Sequence, residues 1–133
     1  MIPGLRQILL NNTTVSSLLD GERIYTHRRW RDTPIPAVLL SVVSTTPTIH
    51  KGSGSNIDRV RVQVSIFTED PGTADQLGSL IRLAFDRYSG MITVDTVDYS
   101  FDLILFDDEA DDYDDSQKIY FKRQDYFVLN KIQ

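Results

Sequence analysis

The most regular pattern along the chain is RVRVQVSIF, where Val60, Val62, Val64 and Ile66 alternate with Arg59, Arg61, Gln63 and Ser65. A period of two puts the aliphatic set on the inner face of a β-strand and the polar set on the outer face. After Asp70-Pro71-Gly72 the period changes. Leu77, Leu80, Ile81, Ala84, Phe85 and Tyr88 trace one continuous side of a helix. Thr73 and Gln76 have the spacing of a capping box at its start, and Gly90 is placed to end it. Gly78 lies inside this helix at a cost of about 1 kcal/mol relative to alanine, which close approach of another element would justify.

Nearer the start, Leu5, Ile8 and Leu9 follow Pro3 at helical spacing, and NNTT interrupts them. Thr14 is a candidate cap for a second short turn, with Val15, Leu18 and Leu19 on its apolar side and Gly21 at its end. IYTHRRWRDTPIP reads as a short strand and a basic connector closed by Pro34 and Pro36. PAVLLSVVST reads as a strand without strict alternation, so both its faces are expected to be covered at least in part. TPTIHKGSGSNID is turn-rich, and a long loop in a compact domain usually moves or binds something.

Beyond Gly90, ITVDTV and SFDLILF predict two strands joined by a tight turn near Asp98-Tyr99, and KIYFKRQDYFVLN a last long one. Lys122 to Asp125 put charge on both faces of that last strand, which a bulge or an exposed edge would explain. Between them FDDEADDYDD, Phe106 to Asp115, packs seven carboxylates into ten residues and reads as a loop. The order helix, strand, strand, helix, then three strands predicts an α+β fold: an antiparallel-rich mixed sheet with its helices packed on one face, in a single domain over residues 1–133.

Composition narrows the function classes. The 133 residues are 41% hydrophobic and 25% charged, the balance of an ordinary globular domain. No apolar run approaches the roughly 20 residues that cross a bilayer, and the start lacks a signal-peptide pattern, so folding in a cytoplasm is expected. Cysteine is absent, which removes disulfides, thiolate nucleophiles and cysteine-ligated metals. The net charge of −5 is unevenly divided. Residues 1–66 hold eight Lys/Arg against four Asp/Glu, and the rest six against fifteen, a split of +4 and −9. Either the halves mix in the fold, or the subunit has a basic and an acidic side suited to head-to-tail association with its copies.

Motifs for chemistry are wanting. From Asp107 an EF-hand would need glycine at Asp112 and glutamate at Lys118, and from Asp112 its twelfth position is Arg123, so neither register fits. A solvated acidic run with no apolar wall offers no unequal pair of carboxyls for acid/base work. His27 and His50 lie in separate polar connectors without metal-ligand spacing. KGSGSN lacks the G-K-[ST] of a phosphate loop and reads as flexible. No G-x-S-x-G elbow is present. THRRWR, Thr26 to Arg31, is the one basic cluster with an aromatic: it would suit a single nucleic-acid strand, or Trp30 anchors the connector while its arginines pair with carboxylates.

The leucine-rich first helix, VSSLLDGERIY, the proline-bounded connector into PAVLLSVV, RVRVQVSIFTED before the long helix, and LILFDDEADDY before a final strand together resemble the tail-completion or tail-terminator family of long-tailed bacteriophages, over about Leu5 to Val128. The resemblance implies a structural virion protein and no enzyme, with no cofactor. It implies a closed ring, typically of six copies, at the head-proximal end of the tail. Such a ring stops tube polymerisation, contacts the tail tube and head–tail connector proteins, and lets DNA pass its lumen without specific binding. It would assemble in the host cytoplasm, with no membrane partner. The charge poles supply the expected interface: Arg28, Arg29, Arg31, Arg59 and Arg61 on one side, and Asp107, Asp108, Glu109, Asp111, Asp112, Asp114 and Asp115 on the other. An acidic loop near the lumen would repel phosphates; it could equally order on contact with a partner, or be a solvated hairpin tip. The alternatives to a ring are a small nucleic-acid-binding module using the connector 26–31 and a divalent-metal enzyme using the acidic run.

Overall fold

A computed structural model gives the fold and describes residues 1–19, 23–26, 34–49 and 56–132. The alternating run forms the centre of the longest sheet. The strands are β1 (Ile24–Thr26), β2 (Ala37–Ile49), β3 (Asn56–Thr68), β4 (Gly90–Val94), β5 (Val97–Phe101), β6 (Leu103–Asp114) and β7 (Ile119–Ile132). Five make one sheet in the order β1-β2-β3-β7-β6, in which only β1 and β2 are parallel. β4 and β5 form a separate antiparallel pair. Helices α1 (Ile2–Leu10) and α3 (Pro71–Phe85) pack on the large sheet, and α2 (Thr13–Leu18) packs against both helices. The fold is the expected α+β class, with an antiparallel-rich mixed sheet.

Val60, Val62, Val64 and Ile66 are buried, and Leu5, Leu9, Val15, Leu77, Ile81 and Phe85 from the helices meet them in one contiguous core. Each such side chain removed from water contributes about 1.5–3 kcal/mol, and this burial fixes which face of the sheet the helices cover. Both faces of β2 are covered only at its start: Ala37 on one face and Val38 and Leu40 on the other are buried, whereas Val42 and Val43 are exposed at a bulge.

Several boundaries differ from the sequence reading. Asn12, not Thr14, caps α2, accepting from the backbone of Thr14 at 3.1 Å and Val15 at 3.2 Å. Asp70, not Thr73, caps α3. Its carboxylate accepts from the Thr73 amide at 2.9 Å, and Pro71, with φ already set for a helix, takes the first turn. The helix stops at Phe85, before Gly90, because the chain turns to join β6: Arg87, at φ 64°, donates to the Ile104 carbonyl at 2.6 Å, and Ile104 donates to Tyr88.

The tight turn is at Asp95-Thr96, not Asp98-Tyr99. Both residues have positive φ, as a two-residue hairpin turn of matching twist requires. SFDLILF divides at Asp102 into strands of different sheets, which makes four late strands instead of three. The turn-rich stretch after Thr46 is strand on both sides of residues 50–55, with Ile49 opposite Asn56. There β7 runs beside β3 to Ile132, and this third strand extends the ladder through residues of low β-propensity.

Candidate functional site

The acidic run is not a loop. It is β6, an edge of the large sheet, paired to β7 from Asp108 opposite Asp125 to Asp114 opposite Ile119. The turn comes after it, with Asp115 exposed there. Aspartate is a poor strand former, so the pairing needs a compensating cause. Lys122, on the next strand, supplies one. Its ammonium lies 2.7 Å from Asp111, 3.1 Å from Asp75 of α3 and 3.7 Å from Glu109, and its side chain is only 5% exposed. Alternation sends Glu109 and Asp111 toward α3 and leaves Asp108, Asp112 and Asp114 on the other side. A bulge between Phe106 and Asp108 sets Asp107 apart.

The ambiguity of β7 is thereby resolved: it is an interior strand, neither edge nor bulged, and its inward charge is neutralised. Gln124, fully buried, donates to the Gly78 carbonyl and to Glu109, each at 2.9 Å. Tyr126 donates to the Gln124 side-chain oxygen at 2.8 Å, and its ring meets Phe85 and Phe106 edge-on. This column of Lys122, Gln124 and Tyr126 is what the glycine in α3 accommodates. A Cβ on Gly78 would stand 2.7 Å from Lys122 Cδ. Burial pulls the Lys122 ammonium down, but its hydrogen bonds to Asp111 and Asp75 and the charge of Glu109 outweigh it and hold the group above its ordinary value. Burial pushes the Tyr126 hydroxyl far up. Asp114 is held low by the Ser116 hydroxyl and the Gln117 amide in the turn.

Beside β6, between it and the first turn of α3, lies a cavity of about 380 Å³. Pro71, Ala74, Tyr113 and Tyr120 give it apolar walls, and Asp111 and Asp112 an acidic rim. The acidic run therefore does have an apolar wall, contrary to the sequence reading, because strand pairing stacks Tyr113 on Tyr120 with ring centroids 4.6 Å apart. On the face away from the helices Arg61 bonds Asp125 at 3.1 Å and approaches Asp107 at 3.4 Å. Arg59 and Arg61 both stand over the Phe127 ring, at 4.8 and 5.6 Å from its centroid.

Of the residues expected at an interface, Asp107, Asp108, Glu109, Asp111, Asp112 and Asp114 are thus collected on one strand, and Arg59 and Arg61 lie on the open face of the sheet. Arg28, Arg29 and Arg31, with His27, His50 and most of KGSGSN, lie outside the described residues. Among the described residues no group of three or more His, Asp or Glu is placed to hold a metal ion, and an ammonium stands where the carboxylates converge. Lys122, Gln124, Tyr126 and Asp75 were missed as a unit. The available signals were Gly78 inside a helix and charge on both faces of one strand.

The model of the family described as tail completion protein gp17 matches residues 3–118. The chain belongs to this family. It is a structural component of the bacteriophage tail and of the virion, which is not an enzyme class. No curated protein matches the sequence. A solved chain of the "Virion of native gene transfer agent (GTA) particle" is similar in fold, with TM-score 0.67 and 11% identity over 98% of this chain and 93% of that one. In this tail completion protein the family match ends at Lys118, so β7 and its buried lysine lie beyond the matched segment. No described helix is long and apolar enough to cross a membrane.

Proposed function

We propose that this tail completion protein closes into a homohexameric ring at the head-proximal end of the phage tail. There it ends tube polymerisation and offers the surface to which the head connector joins. The observation that carries the reading is family membership over residues 3–118. The gathering of six carboxylates on the edge strand β6 supports it, since a closed ring uses one face of each subunit against a different face of the next. In such a ring the partners are the tail tube protein, the connector protein and further copies of the chain. DNA passes through the lumen without specific binding, and assembly takes place in the host cytoplasm. With net charge −5 the ring has no counterion-release drive to hold the duplex.

Mass measurement in solution, with negative-stain imaging of the protein alone and with tail tubes, tests the proposal. The expected result is a closed ring, free or capping one end of each tube. A persistent monomer that leaves tubes uncapped, and that binds DNA in a salt-dependent way, would overturn it.

A further inference from the structure

The acidic strand β6 changes character at its bulge. From Leu103 to Phe106 it is held on both sides: β7 pairs with one edge, and on the other the Ile104 amide donates to the Tyr88 carbonyl and the Phe106 amide to Asp86, each at 3.0 Å. Ile104 is fully buried there. From Asp107 to Lys118, by contrast, no residue is buried. We infer that Asp107–Lys118 is a strap, which opens from β7 as a unit between the bulge and Ile119 while the rest of the sheet stays paired. This device stands apart from the ring reading.

Little apolar area holds the strap closed. Its ring contact is Tyr113 on Tyr120, and aspartate is a poor strand former. Several of its amides also have local partners. Glu109 donates to Asp108 at 2.8 Å, Tyr113 to Asp112 at 2.7 Å and Ser116 to Asp114 at 2.9 Å. These bonds lie within the strap and travel with it, so opening forfeits none of them. Asp108 stands directly opposite Asp125, and like charges so placed weaken the pairing of the two strands. A segment with so few buried contacts opens far more readily than the core does.

Two cations fasten it, one on each face of the sheet. On the helix side Lys122 joins Glu109 and Asp111 of the strap to Asp75 of α3. On the other side Arg61 of β3 joins Asp107 to Asp125. Gln124 adds a hydrogen bond to Glu109. Closure therefore rests on charge more than on buried area. When the strap opens, Lys122 keeps Asp75, and the released carboxylates return to water. The backbone edge of β7 from Ile119 to Asp125 is then bare. The strap thus decides whether the sheet ends in an acidic strand or in β7.

Hydrogen exchange of the full chain, followed by mass spectrometry, tests the inference on peptides spanning 107–118 and on β3 peptides spanning 60–67. In wild type the protected amides of the strap are expected to exchange at least about a hundredfold faster than those of β3. Lys122→Met removes the helix-side fastener, and strap exchange should rise about tenfold further with β3 unchanged. Asp108→Asn removes the charge opposite Asp125 but keeps the oxygen that bonds the Glu109 amide, and should slow strap exchange about twofold to fivefold. That variant relieves repulsion, so it decides the matter even where Lys122→Met does not fold. Strap amides that exchange no faster than those of β3, a folded Lys122→Met protein with the wild-type strap rate, or faster strap exchange in Asp108→Asn would each overturn the inference.

Discussion

Replacing Gly78 with alanine should destabilise the protein, although the same change in an isolated helix stabilises by about 1 kcal/mol. The new Cβ would stand 2.7 Å from Lys122 Cδ, 3.2 Å from its Cε and 3.3 Å from the Gln124 amide nitrogen. Ordinary carbon contacts lie near 3.5–4.0 Å, so the lysine stem must retreat by roughly 1 Å. It is not free to do so. The ammonium is held by Asp111, Asp75 and Glu109, and Gln124 is held by Gly78 and Glu109. Overpacking of this kind costs about 1–3 kcal/mol, and a weakened charge-assisted hydrogen bond about 1.5–3 kcal/mol more. After the helical gain is subtracted, a net loss of about 1.5–5 kcal/mol remains.

For a chain of 133 residues, about 1 kcal/mol corresponds to roughly 4 °C in Tm, so a fall of about 6–20 °C is expected in circular-dichroism melts. The Lys122→Ala background provides the control. With the stem removed, alanine at position 78 has room, and its effect should become neutral or stabilising, a coupling of well over about 1 kcal/mol in the double-mutant cycle. A Gly78→Ala protein that melts higher than wild type would show that the glycine is an ordinary helix defect and the close approach to β7 wrong.

The remaining predictions concern pH and capping. Lys122 and Tyr126 both hold their protons more tightly in the folded state, above 10.5 and 10.0 respectively. Their contribution is therefore constant below those values and is lost as pH rises through them, because the unfolded chain releases the protons first. Melting temperature should hold from about pH 7 to 9 and drop above about pH 10, less steeply in Tyr126→Phe. A Tyr126→Phe profile that falls as steeply as wild type would count against the buried hydroxyl. Asn12→Ala should cost about 1 kcal/mol in urea unfolding through loss of the α2 cap, whereas Thr14→Ala should be near neutral; the reverse order would restore Thr14 as the cap.

Much of this protein was legible before any coordinates. The alternation of Val60 to Ile66 and the helical stripe from Leu77 to Phe85 are local periodicities, and burial of one face follows from them directly. Fold class and family followed from the order of such segments. What local pattern could not supply was the fate of the acidic run. Seven carboxylates in ten residues look like a loop when each is scored by its own propensity. Six of them lie in a strand because a lysine on the neighbouring strand and a glycine one helix away converge on them, across separations in sequence that no local window spans. The chain's own periodicities thus set which residues are buried, and long-range charge compensation set which of its edges would be acidic.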